Sequence, residues 1–202
     1  MVFLHALGEQ GSTWDAVMTA FASSFRVVAI DLRGHGKSDR PGAYSFELMR
    51  DDVLGVLDDL DLPQLTLVGH SMGGTVAYLI AEEQPSRIGR LILEDTPPPF
   101  PRDRAVPQRP DGPIQFDWPV VPAIAAQLND PDPRWWDLLT EITAPTLIVA
   151  GGPASHIPQA KLAEVAVRIP RCTMETIPAG HHVHAARPAE FTSAVRRFLA
   201  GW

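Results

Sequence analysis

The stretch Leu65-Thr66-Leu67-Val68-Gly69-His70-Ser71-Met72-Gly73-Gly74 restricts the possible folds of this chain more than any other. An apolar run from Leu65 to Val68 breaks at Gly69, and apolar residues resume from Thr75 to Ala81 at helical length. A buried strand must therefore turn straight into a helix across one serine. Gly69 and Gly73 stand where such a turn leaves no room for a Cβ. The residue at the apex is forced into a strained backbone conformation, which persists only where the surroundings enforce it. Ser71 is thus a candidate nucleophile, and a flexible serine loop would lack the strand and helix on either side.

In chain order, Val2 to Leu4 reads as a strand, Trp14, Val17, Met18 and Phe21 recur at helical spacing, and Val27 to Ile30 forms a second strand. The turn-rich segment from Asp31 to Ser38 reads as a braced structural turn. Phe46, Met49, Val53, Val56, Leu57 and Leu60 mark one helical stripe with Ser45 as its N-cap. Beyond the serine turn come the strand Leu91-Ile92-Leu93, ending at Glu94-Asp95, the strand Thr146 to Val149, a helix near Ala160 to Arg168, the strand Thr173 to Ile177, and a last helix around Ala189 to Leu199. Strands alternating with helices at this rhythm predict an α/β domain, a mostly parallel sheet flanked by helices, over residues 1–202. Between residues 97 and 140 prolines crowd the chain, excluding strands and leaving room for short helices around Ile124 to Leu128 and Trp135 to Leu139. Because that segment also carries Phe100, Phe116, Trp118, Trp135 and Trp136, it reads as an inserted cap and not as a flexible linker.

Composition sets the remaining bounds. A chain of 202 residues, 45% hydrophobic, can bury one continuous core. A formal net charge of −7 without a Lys/Arg run argues against nucleic acid or an anionic membrane as partner. The single cysteine, Cys172, offers neither a disulfide framework nor a thiolate metal site and reads as a small buried hydrophobe. With no charged leader and no apolar run near the ~20 residues that span a bilayer, the expected location is the cytoplasm.

A serine hydroxyl attacks only when a base accepts its proton. His181 follows the strand Thr173 to Ile177 and the turn Pro178-Ala179-Gly180, which brings it to the sheet edge where Ser71 lies, with His182 and His184 as rivals. These three histidines have no interleaved carboxylate, and no His-Glu-x-x-His pattern occurs, so neither a metal centre nor a cofactor is expected. Negative charge developing on the substrate oxygen needs backbone donors. Met72 at the helix start is one, and Leu7 on the loop after the first strand is the second.

These segments together, with Asp31 to Ser38, Pro145 to Gly151 and Gly180-His181 with Arg187-Pro188, resemble the α/β-hydrolase superfamily in its order along nearly the whole chain. The resemblance implies Ser71 as nucleophile, His181 as base, and Leu7 and Met72 as oxyanion donors. It also implies a form shortened at its N-terminus, since family members carry two strands ahead of Val2 to Leu4, and hence an uncovered sheet edge open to self-association. Two departures stand out: the family's His-Gly is His5-Ala6 here, and Gly151 to Ile157 holds no carboxylate where many members carry the acid. Asp95, ending the strand after the nucleophile helix as in some family branches, is the expected acid, with Glu94 as the rival one register step away and Asp117 a further alternative. The expected activity is hydrolysis of esters, thioesters or lactones of small to medium apolar substrates through an acyl-enzyme, with Trp118, Trp135 and Trp136 as candidate substrate contacts. The alternatives are carbon–carbon bond hydrolysis, cofactor-free perhydrolysis, or a catalytically weak ligand-binding protein.

Overall fold

The computed structural model describes residues 1–201. Its strands are β1 (Val2–Leu4), β2 (Val28–Ile30), β3 (Leu65–His70), β4 (Ile88–Glu94), β5 (Thr146–Ala150) and β6 (Cys172–Thr176). The helices are α1 (Asp15–Phe21), α2 (Phe46–Asp59), α3 (Met72–Glu83), α4 (Val120–Asn129), α5 (Pro133–Leu138), α6 (Gln159–Arg168), α7 (Val183–Ala186) and α8 (Pro188–Ala200). The strands form a six-stranded sheet in the order β2-β1-β3-β4-β5-β6, with every pairing parallel. This is the α/β architecture that the alternating pattern predicts.

Alternation within each strand divides the core between the two faces. Leu67, Leu91 and Leu93 pack on one face with Met49 and Val53 of α2 and Val76 and Ile80 of α3. Val68, Ile92, Leu147 and Val149 point the other way, toward Trp14, Val17 and Phe21 and toward Phe191, Val195 and Phe198 of α8. At roughly 25 cal/mol per Å² of apolar surface, these two layers are the main stabilising contribution of the fold. Ser45 caps α2 by accepting the Leu48 N–H at 3.1 Å, as the sequence leads one to expect. The prolines of the 97–140 segment do not prevent α4, because Pro119 precedes it and Pro122 lies in its first turn, where an N–H has no acceptor within the helix.

Chain winding fixes the site. From β1 the chain moves outward to β2, then returns to the far side of β1 for β3 and proceeds to β6. The direction reverses between β1 and β3, and the crevice beyond the carboxyl ends of strands at such a reversal is where open α/β sheets bind ligands. Leu7 follows β1 and Ser71 follows β3, so both stand at that crevice.

Candidate active site

The β3–α3 turn is as tight as the sequence demands. A Cβ on Gly69 would lie 2.4 Å from the Gly73 carbonyl oxygen, and one on Gly73 would lie 2.5 Å from the Leu4 carbonyl oxygen. Ser71 between them has φ 51° and ψ −114°, one of three non-glycine residues with positive φ among the described residues, with Asp61 and Asp95. Such a conformation costs about 1–3 kcal/mol. It is held by the Ser71 N–H donating to the Glu94 carbonyl (3.0 Å) and the Gly73 N–H donating to the His5 carbonyl (3.1 Å).

Asp95 leaves β4 in a left-handed conformation, φ 41°, and turns a buried carboxylate toward the β6–α7 loop. His181 Nδ1 donates to its Oδ2 at 2.7 Å. A carboxylate oxygen accepts, so the hydrogen sits on Nδ1 and the basic lone pair is on Nε2. Three more donors fix the carboxylate: Gly151 N–H (2.9 Å), Gln159 Nε2 (3.2 Å) and the Ser155 hydroxyl. Burial alone would raise the Asp95 pKa, but the His181, Ser155, Gly151 and Gln159 hydrogen bonds outweigh it and hold the carboxyl below its ordinary value. The segment Gly151 to Ile157, which lacks an acid, thus supplies donors to an acid on the neighbouring strand.

The one-step register difference between Asp95 and Glu94 sends them to different histidines. Glu94 is fully buried and accepts from the His184 N–H at 2.8 Å and from His184 Nδ1 at 2.7 Å. His184 stacks on Trp14 with 4.0 Å between ring centroids, inside the second core layer. His182 reaches Glu9 instead, Nε2 to Oε1 at 3.1 Å. Asp117 instead accepts from the Tyr44 hydroxyl.

Ser71, Leu7, Met72 and His181 line one cavity of about 310 Å³. As the first residue of α3, Met72 has an N–H that no carbonyl four residues earlier in the helix can accept. Val121, Ile124, Ala125 and Leu128 of α4 form an apolar wall, and Arg102 and Arg104 stand at its polar side. The three tryptophans expected to touch substrate do not line this cavity. Trp135 is 5% exposed and packs edge-on against Phe46 in the core, Trp136 packs on Phe100 and Arg168, and Trp118 lies near Phe116. Helical spacing in α5 turned Trp135 inward, so aromatic content alone misidentified the wall. Sequence reasoning also missed His156, whose ring centroid is 4.1 Å from that of His181 and whose pKa is pushed down to about 4 by burial and by the charges of His181 and Arg104. No periodic signal marks a residue on such a loop.

The fold and this geometry define an α/β hydrolase. The model of the α/β-hydrolase fold family matches residues 1–118, more than half of the chain, and the chain belongs to that family. Over 99% of its length it is 26% identical to the sn-1-specific diacylglycerol lipase ABHD11 of Mus musculus, 80% of which is covered. Among solved structures it resembles Est816, described as an N-acyl homoserine lactone degrading enzyme (28% identity, TM-score 0.83, 98% of this chain and 92% of that one). It also resembles the enol-lactonase from Burkholderia xenovorans LB400 (25% identity, TM-score 0.86, 98% of this chain and 90% of that one). The chain is therefore a hydrolase-family enzyme, and no helix among its described residues is long and apolar enough to cross a membrane.

Proposed function

We propose that the protein is a serine hydrolase that cleaves ester, thioester or lactone bonds of small to medium apolar substrates. The single observation that carries the reading is the 2.7 Å hydrogen bond from His181 Nδ1 to Asp95, beside the strained Ser71 on a shared cavity. His181 Nε2 takes the Ser71 proton as Oγ attacks the carbonyl carbon, and the resulting imidazolium faces the Asp95 carboxylate. The backbone N–H groups of Leu7 and Met72 receive the negative oxygen. Collapse of the tetrahedral intermediate expels the alcohol or thiol, protonated by His181, and water releases the acyl group by the same steps in reverse. The apolar α4 wall supports short and medium acyl chains, and the lactone-degrading relatives support cyclic esters as members of the class. We assign the enzyme to the cytoplasm and its self-association to the edge strand β2.

A panel of p-nitrophenyl esters and lactones tests the reading. Turnover should be highest for short acyl chains, and Ser71→Ala, which removes one oxygen, should abolish it in a protein with unchanged circular dichroism. Substantial turnover by the purified variant would refute the assignment.

A further inference from the structure

Beside the cavity lies a cluster, two of its three side chains buried, for which the proposed chemistry has no use. Glu9 from the loop after β1, His70 at the end of β3 and His184 from α7 bring one ligand-type atom each to within 4.8 Å of one another. The ring tautomers follow from their partners. His184 Nδ1 faces the Glu94 carboxylate at 2.7 Å, and His70 Nε2 faces the His181 carbonyl oxygen at 2.9 Å. Both partners accept, so each of these nitrogens carries the hydrogen. In the neutral imidazoles the opposite nitrogens, Nε2 of His184 and Nδ1 of His70, face the cluster with lone pairs, whereas a proton on His70 Nδ1 would face the Glu9 carboxylate. Both nitrogens are buried and have no hydrogen-bond partner among the described residues, in side chains that are 1% and 0% exposed. Glu9 completes the triangle, with Oε2 3.6 Å from His70 Nδ1.

Lone pairs converging on one point repel one another, and an unsatisfied buried polar atom costs about 1–3 kcal/mol. A cation among them removes both penalties. The surrounding bonds are those of a metal centre: one imidazole is anchored by a carboxylate, the other by a backbone carbonyl, and the Glu9 carboxylate by His182 Nε2 (3.1 Å) and the Ala6 N–H (3.3 Å). We propose that Glu9, His70 and His184 form a binding site for a divalent transition-metal ion of the Zn²⁺ class. Two imidazoles and one carboxylate suit Zn²⁺ better than Ca²⁺ or Mg²⁺, which take all-oxygen shells. Ligand distances of about 2.0–2.1 Å in tetrahedral geometry place donor atoms roughly 3.3 Å apart, so closure needs shifts of about an ångström. The spacing of His181, His182 and His184 in the sequence gave no hint of this site, because two of its ligands come from elsewhere in the chain.

The role of the ion is structural. It ties together the loop of Leu7, the turn of Ser71 and the segment following His181, and it is independent of the hydrolytic reading. The test uses untagged protein stripped with a chelator and titrated with Co²⁺, followed by Zn²⁺. One equivalent per chain should bind, with the visible absorption of four-coordinate Co²⁺, loss of that absorption on adding Zn²⁺, and a raised unfolding temperature. Glu9→Gln, a nearly isosteric change at a partly exposed residue, should weaken binding by more than about 100-fold, the upper range for losing a merely supporting partner, while keeping the circular dichroism of the fold. His156→Ala should bind normally. No stoichiometric uptake by the wild type, as expected if the cluster holds only a proton, would overturn the proposal. So would wild-type affinity in Glu9→Gln, or lost binding in His156→Ala, which would move the ion into the cavity.

Discussion

Asp95→Asn probes the arrangement at its most informative atom. The substitution preserves size and leaves one oxygen able to accept from Gly151 and Gln159, but it replaces the other oxygen with an NH₂ group. That NH₂ faces His181 Nδ1 and the Ser155 hydroxyl, both of which now donate to the position it would occupy. Two donors cannot share the contact, so the imidazole gives up its Nδ1 hydrogen, becomes protonated on Nε2 and can no longer accept the Ser71 proton. The imidazolium of the transition state also loses a carboxylate at hydrogen-bond distance. Kcat/KM should fall by about a thousandfold or more, which corresponds to roughly 4 kcal/mol of transition-state stabilisation. Steady-state ester hydrolysis by wild type, Asp95→Asn and Glu94→Gln, each checked by circular dichroism, measures this. Glu94→Gln should lower stability through His184 and leave turnover within about tenfold of wild type. Near-normal turnover in folded Asp95→Asn would refute the reasoning, and inactivity confined to Glu94→Gln would assign the acid to the other register.

Trp135→Ala should destabilise the protein by about 3–5 kcal/mol in a denaturant titration and leave KM for short esters near that of wild type, since Trp135 fills the core against Phe46. Glu82 makes stability depend on pH: burial pushes its carboxyl up to about 9, and neither oxygen has a hydrogen-bond partner among the described residues. Between the ordinary glutamate value and about 9 the folded chain keeps a proton that the unfolded chain has released, so stability falls as pH rises, by up to about 1.4 kcal/mol per pH unit. Urea unfolding of Glu82→Gln across that range should show a flatter profile and greater stability at the alkaline end, and an unchanged slope would contradict the assignment.

Periodicity made the sheet, the flanking helices and the order of elements legible, because burying one face of a strand or helix leaves its mark on neighbouring residues. Strand ends fell within a few residues: β4 begins at Ile88, ahead of the apolar triplet Leu91-Ile92-Leu93. The turn at Ser71 was legible because the close approaches at Gly69 and Gly73 admit only glycine. Pairings across distant loops were not. The choice between Asp95 and Glu94 depends on a single residue of register, and the two face different histidines only once β4 lies between β3 and β5. Ser155 and Gln159 became visible as partners of Asp95 only in three dimensions, as did the approach of Glu9 to His70. The tryptophans misled because a large aromatic in a proline-rich segment can fill a core or line a cavity, and composition does not distinguish the two.

The central claim, that Ser71 is activated by His181, is tested most directly by reaction with a fluorophosphonate followed by intact-mass and peptide mass spectrometry. Activation predicts one adduct per chain, located on Ser71, formed rapidly in the wild type and not at all in Ser71→Ala, with His181→Ala slowed by orders of magnitude. A folded wild-type protein that stays unlabelled, or an adduct on any other residue, would contradict it.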